Sequence, residues 1–202
     1  MNMMRILLAP VLVVVMALPA AAEKLSLSAL SQYLNNLRTA TGAFTQINGD
    51  GTISTGTIYI NRPGRIRFEY APPDDTLVIA GSSSVAIFDA KSNTGPETYP
   101  LARTPLSIIL ADTVNLGQAR MVVGHTYDGT ATTVTAQDPD NPDYGNIQLV
   151  FTGNPIQLRQ WLINDDAGNS TTVVLGDMQT GTAMSASLFN IQLEANRRSS
   201  NR

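Results

Sequence analysis

The chain has 202 residues, with 13 basic and 16 acidic side chains, one histidine and no cysteine. Without cysteine there is no disulfide, no thiol nucleophile, no thiolate metal site and no N-terminal cysteine that could itself be acylated. An acidic chain that lacks a basic block is a poor partner for nucleic acid.

In chain order, the first element reads as an export signal. Arg5 precedes an apolar run from Ile6 to Leu18, then Pro19 and the small residues Ala20, Ala21 and Ala22. The run is shorter than the ~20 residues that span a bilayer. Cleavage after Ala22 is expected to remove residues 1–22 and leave residues 23–202 as one domain outside the cytoplasm. That product carries twelve basic and sixteen acidic residues, a net charge of −4.

A helix follows in SLSALSQYLNNL. Leu27, Leu30, Leu34 and Leu37 fall three or four apart and form one apolar face, with Ser26 or Ser28 as cap. Short strands are then predicted at Ala43 to Asn48, Gly56 to Asn61, Arg65 to Tyr70, Thr76 to Ala80 and Val85 to Phe88. A second helix is predicted in TPLSIILAD, with Thr104 capping and Pro105 at the first helical position. Its Leu106, Ile108, Ile109 and Leu110 are apolar nearly all round, so it must be covered on more than one side.

Six further strands are predicted: Arg120 to Thr126, Thr132 to Ala136, Ile147 to Phe151, Arg159 to Asn164, Thr171 to Gly176 and Ala186 to Ile191. The polar tail after Leu193 is expected to fray. Turn-forming segments such as NGDG, APPDD, DPDNPD and NDDAGN separate the strands. Such regular spacing predicts an antiparallel meander folded as a barrel or a strongly curved sheet.

The stretch NRPGRIRFEY holds three arginines. Alternation puts Ile66, Phe68 and Tyr70 on one face and Arg65, Arg67 and Glu69 on the other, expected to be solvated. Arg62 differs from these two. It shares parity with Ile58 and Ile60 and ends an apolar stripe just before a Pro-Gly turn, where a long cation must find acceptors or reach water.

Catalytic constellations are not found. His125 would have to serve any Ser-His-Asp arrangement, but GSSSV is no nucleophile elbow. One histidine without cysteine makes a poor zinc site. DPDNPD lacks a downstream bidentate glutamate and contains two prolines, so a rigid turn is expected rather than a calcium loop. Asp165 and Asp166 before AGN read as a hairpin turn. No enzyme activity, cofactor or metal is expected.

The block GTIYINRPGRIRFEYAPPDDTLVIAGSSSVAIFD resembles the signature of the periplasmic outer-membrane lipoprotein carriers, the LolA family. Phe44 and Gln46, Gly56, Arg62 and Pro63, Phe68 and Tyr70, and Asp89 carry the resemblance. TPLSIIL resembles the family's short helix, and NPIQLRQWLINDDAGNSTTVVL its late hairpin, through Leu158, Trp161, Asp165, Gly168 and Thr171. SLFNI resembles its last strand. Ile66 and Phe68 stand where many members carry larger aromatics, and few methionines remain after processing, so a methionine-rich cavity is not expected.

The resemblance implies a mainly β fold with helices: an unclosed antiparallel β-barrel, or half-barrel, covered by a helical lid. It implies a periplasmic carrier that takes lipoproteins by their acyl chains from an inner-membrane ABC-type release complex towards the outer membrane. The alternative is a periplasmic carrier of another lipid or hydrophobic ligand. The implied partners are acylated lipoproteins and the release complex, with delivery either directly to the outer membrane or to a receptor there, and the carrier is expected to be a monomer. Arg62 is implied to latch the lid by bonding its backbone carbonyls. Leu106, Ile108, Ile109 and Leu110 are the expected lid residues, and Ile58, Ile60, Ile66 and Phe68 the expected lining.

Overall fold

The computed structural model describes residues 23–89, 92 and 94–200. The expected signal segment lies outside the described residues. Twelve strands form one antiparallel sheet with the order β6-β5-β4-β3-β2-β1-β11-β10-β9-β8-β7, and β12 pairs with β1. The first meander runs through β1 (Thr39–Asn48), β2 (Ile53–Asn61), β3 (Ile66–Tyr70), β4 (Leu77–Gly81), β5 (Ser84–Phe88) and β6 (Glu97–Pro100). The second runs through β7 (Val122–Tyr127), β8 (Ala131–Gln137), β9 (Asn146–Thr152), β10 (Gln157–Asn164) and β11 (Ser170–Leu175), and β12 is Gln179–Thr180. The meanders join where β1 pairs with β11, while β6 and β7 remain unpaired edges. The sheet is therefore an unclosed barrel.

Helix α1 (Leu27–Asn36) begins at Ser26, whose hydroxyl accepts the amide of Ala29 at 3.2 Å. Helix α2 (Leu106–Leu110) lies in the connection between β6 and β7, after a 3₁₀ turn at Leu101–Arg103. Thr104 does not cap it: its hydroxyl turns back to the Leu101 carbonyl at 2.8 Å.

The two helices cover the concave face. Leu30 and Leu34 of α1 and all four apolar residues of α2 are buried in one core with Phe44, Leu149, Phe151 and Trp161. Tyr33 fixes α1 to the sheet, edge-on to Phe151 at 5.8 Å and accepting the Leu158 amide at 3.1 Å.

The C-terminal segment departs from the expectation drawn from SLFNI. Ala186–Phe189 is a 3₁₀ turn and Ile191–Ser200 is helix α3, so neither a last strand nor a frayed tail is present there. Glu194 is buried within α3 and accepts hydrogen bonds from Arg197 and Arg198 at 2.8 and 2.9 Å. The segment packs on the convex face, where Phe189 joins Leu77, Ile79, Ala86 and Phe88 in a second apolar cluster. This cover also overturns the expectation for Arg67. Arg67 faces away from the main core, as alternation requires, yet it is buried beneath α3. Arg65 stays half-buried and donates to Asn61.

Candidate functional site: a partly covered apolar stripe

Cross-strand register builds the site. Side chains directly opposite in an antiparallel ladder share a face. One row runs Ile60, Ile66, Ala80, Val85, Tyr99, and a neighbouring row runs Ile58, Phe68, Val78, Ile87. Together they make an apolar stripe across the concave face. Ile58, Ile60, Ile66 and Phe68 occupy its covered end, between 0 and 6% exposed, packed in one core with α1 and α2.

The other end of the stripe is open. A cavity of about 620 Å³ lies there, with Val85, Ile87, Tyr99 and Pro100 on one wall and Ile163 on the other. Pro105, Thr104 and Arg103, at the start of α2, border it. Its size falls within the ~300–1,000 Å³ of small-molecule sites. Ile58, Ile60, Ile66 and Phe68, the residues expected to line a cavity, lie at the covered end of this stripe, and Val85 and Ile87 at the open one. Alternation in SVAIF gave the parity of Val85 and Ile87, but nothing in it told where the helices stop.

At the covered end stands Arg62. Its Nη1 donates to the Leu34 carbonyl in the last turn of α1, and its Nη2 donates to the Ala111 carbonyl at the end of α2, at 2.6 Å. Both carbonyls belong to helix C-termini, where no intrahelical donor remains and the backbone dipole favours a cation. Arg62 is 5% exposed, and its Nε is buried without a hydrogen-bond partner among the described residues. Burial, and secondarily the nearby charge of Arg38, lower its pKa, while Asp112 opposes them. Its own amide donates to Arg38 O at 2.8 Å, and the Gly64 amide to Leu110 O at 2.8 Å. The NRPG turn thus touches both helices.

A second link joins the two helices. Asn35 of α1 bonds both backbone groups of Val114, donating to its carbonyl at 2.9 Å and accepting its amide at 2.8 Å. Ser31 accepts the Leu116 amide at 3.0 Å. The helices are consequently tied through the segment that follows α2.

The other singled-out residues lie elsewhere or serve turns. His125 Nε2 stands 2.9 Å from the Leu25 carbonyl, the geometry of an N–H donor to backbone. Asp138 accepts the amides of Asp140 and Asn141 within its own turn. Asp165, beside the cavity, accepts the Ala167 and Asn169 amides in the β10–β11 hairpin. Burial alone would raise its pKa, but the bonds from Asn169, Ala167 and Gly168 hold it below the ordinary value. Among the described residues no group of three His, Cys, Asp or Glu side chains is placed to hold a metal.

Residues 35–192 match the family described as outer membrane lipoprotein carrier protein LolA. The chain belongs to this family. Its similarity to individual members is low but extends over most of the chain. The outer-membrane lipoprotein carrier protein of Cupriavidus necator is 25% identical over 186 residues, covering 86% of each chain. That of Pseudomonas syringae is 22% identical over 201 residues, covering 96% of each. A solved LolA superfamily protein from Nitrosomonas europaea is 7% identical with a TM-score of 0.43, covering 82% of this chain and 98% of that one. Family membership places the RPGRIRFEY block, the α2 segment and the late hairpin within the matched region, and leaves all but the first two residues of α3 outside it.

Proposed function

We propose that the protein carries lipoproteins through the periplasm by sheltering their acyl chains on the concave face of the half-barrel. The observation that carries this reading is the continuous apolar stripe, covered at one end by two helices and open at the other. Transferring an acyl chain into water costs about 0.8 kcal/mol per methylene, on the order of 10 kcal/mol for a long chain. An apolar cavity removes most of that cost.

Binding must also be reversible. In this reading α1 and α2 form the lid, with Leu106, Ile108, Ile109 and Leu110 as its apolar underside and Ile58, Ile60, Ile66 and Phe68 as the lining it covers. Acyl chains entering at Val85 and Ile87 extend along the stripe by displacing the helices. Arg62 latches the empty form, because displacement breaks its bonds to Leu34 and Ala111. Closure and cargo compete for one apolar surface, which keeps affinity low enough for release. Cargo comes from an inner-membrane ABC-type release complex and goes to the outer membrane or a receptor there. Among the described residues no helix is long and apolar enough to cross a membrane.

The test is native mass spectrometry of the protein purified from the periplasm, followed by incubation with inner-membrane vesicles that hold the release complex and a lipoprotein. Triacylated N-terminal peptides on the protein, and transfer of lipoprotein into the soluble fraction, are expected. Free lipid alone would support the alternative carrier reading. No hydrophobic ligand and no transfer would overturn both.

A further inference from the structure

The cavity wall formed by β5 and β6, which β4 joins to the rest of the sheet, ends in a free edge. On its concave side Val85 and Ile87 line the cavity. Its convex side carries Leu77, Ile79, Ala86 and Phe88, and the C-terminal segment packs against them through Phe189. Three contacts fasten that segment. Gly81 lets the chain approach closely: a Cβ there would lie 2.2 Å from the Phe189 carbonyl oxygen. Arg67 on β3 donates to the Leu188 carbonyl at 3.0 Å and lies 3.7 Å from Glu194, while its Nε donates to Glu69 at 2.7 Å. Arg198, bonded to the same Glu194, places its guanidinium 5.2 Å from the centre of the Phe88 ring on β5. The chain of contacts therefore runs from β3 through α3 to β5, across the back of the wall.

We infer that α3 braces the cavity wall from behind, with Arg67 and Glu194 as positioning residues for the acyl site. The inference rests on the carrier reading above for the identity of the ligand. β5 is held to the main sheet by its ladder to β4, and β6 only by its ladder to β5. A wall fixed from both sides is ordered before the ligand arrives, so binding does not have to order it. Arg67 and Glu194 are each 6% exposed, and two charges are not buried together without bonding partners to offset desolvation. Here the partners are supplied by two different layers of the fold.

The experiment uses the full mature chain, cis-parinaric acid as fluorescent acyl probe, and amide hydrogen exchange. Glu194→Gln weakens the charge link, and Gly81→Ala lifts the segment by setting a methyl group against the Phe189 carbonyl. Leu162→Ala, on the convex face of β10 away from α3, controls for lost stability. Each brace variant is expected to raise the probe Kd about fivefold, in the range for changes that touch neither ligand nor site. Exchange should quicken in β5 and β6 but not in β8 to β10. The control should leave Kd unchanged.

Unaltered exchange in β5 and β6 in both brace variants, with unaltered Kd, overturns the brace. A wild-type chain that fails to bind the probe counts against the carrier reading instead, and exchange alone then decides the brace.

Discussion

Arg62 and Leu34 lie 28 positions apart in the chain, yet the guanidinium of one donates to the backbone carbonyl of the other at the end of α1. A second nitrogen of the same group reaches the end of α2. One side chain thus fastens two helices that are separated by the entire first meander.

Arg62→Leu should fold, accept acyl probes more tightly and release them more slowly. Hydrogen bonds from a charged group contribute ~1.5–3 kcal/mol each, so a tenfold gain in probe affinity, about 1.4 kcal/mol, is a modest expectation. Fluorescence titration measures the gain, and transfer from the loaded protein to acceptor vesicles measures release. A wild-type transfer rate would remove the latch role. Arg62→Lys should fall between the two, because a single ammonium cannot match the fork of a guanidinium.

Asn35→Ala should loosen the cover by a different route. It leaves the Val114 amide and carbonyl without their partner, and a buried group left unpaired costs ~1–3 kcal/mol. A lowered Tm together with faster amide exchange in α1 is expected. Asn35→Asp can still accept the amide but cannot donate, so it should restore only part of the loss.

Cavity wall and core should separate under substitution. Ile66 is fully buried, and Ile66→Ala should destabilise the fold by ~2–5 kcal/mol. Ile87 borders the open cavity and is only half-buried. Ile87→Glu should leave Tm nearly unchanged and sharply weaken acyl-probe binding. If Ile87→Glu binds the probe as the wild type does, the open end of the stripe is not where chains lie.

Glu194 supplies a pH prediction. Burial alone would raise its pKa, but bonds from Arg198 and Arg197 and the charges of Arg197 and Arg67 outweigh burial and hold it below the ordinary glutamate value. A carboxylate depressed in the folded state contributes stability that is full above its unfolded pKa and is lost as pH falls through its folded one. Wild type should therefore exceed Glu194→Gln in stability at pH 7, by ~1–3 kcal/mol, and the gap should narrow as pH falls below the ordinary glutamate range and through the lower folded-state pKa. Denaturant titrations at pH 7, 5 and 3 check this. A gap that is as large at pH 3 as at pH 7 would mean that packing, not charge, fastens α3.

Much of this architecture can be read from the residues. Leucines three and four apart mark α1, and the strand spacing marks the meander. The parity of Arg62 with Ile58 and Ile60 puts it at the rim of an apolar stripe, where it is found buried against carbonyls. Arg67 shows the boundary of such reading. Alternation correctly places it opposite Ile66 and Phe68, but alternation carries no information on whether another segment covers that side. The cover comes from residues more than 120 positions away, since Leu188 is 121 positions from Arg67. The role of Asn35 is illegible for a similar reason. An asparagine near a helix end reads as a solvated residue until its partner, 79 positions on, is known.

The connection that carries α2 is also, among the described residues, the passage from one sheet edge to the other, leaving β6 at Pro100 and joining β7 at Val122. If α2 lifts as proposed, the chain it pulls on is the one that continues Tyr99 and Pro100 of the cavity wall, so cover and entrance would move together rather than as separate parts.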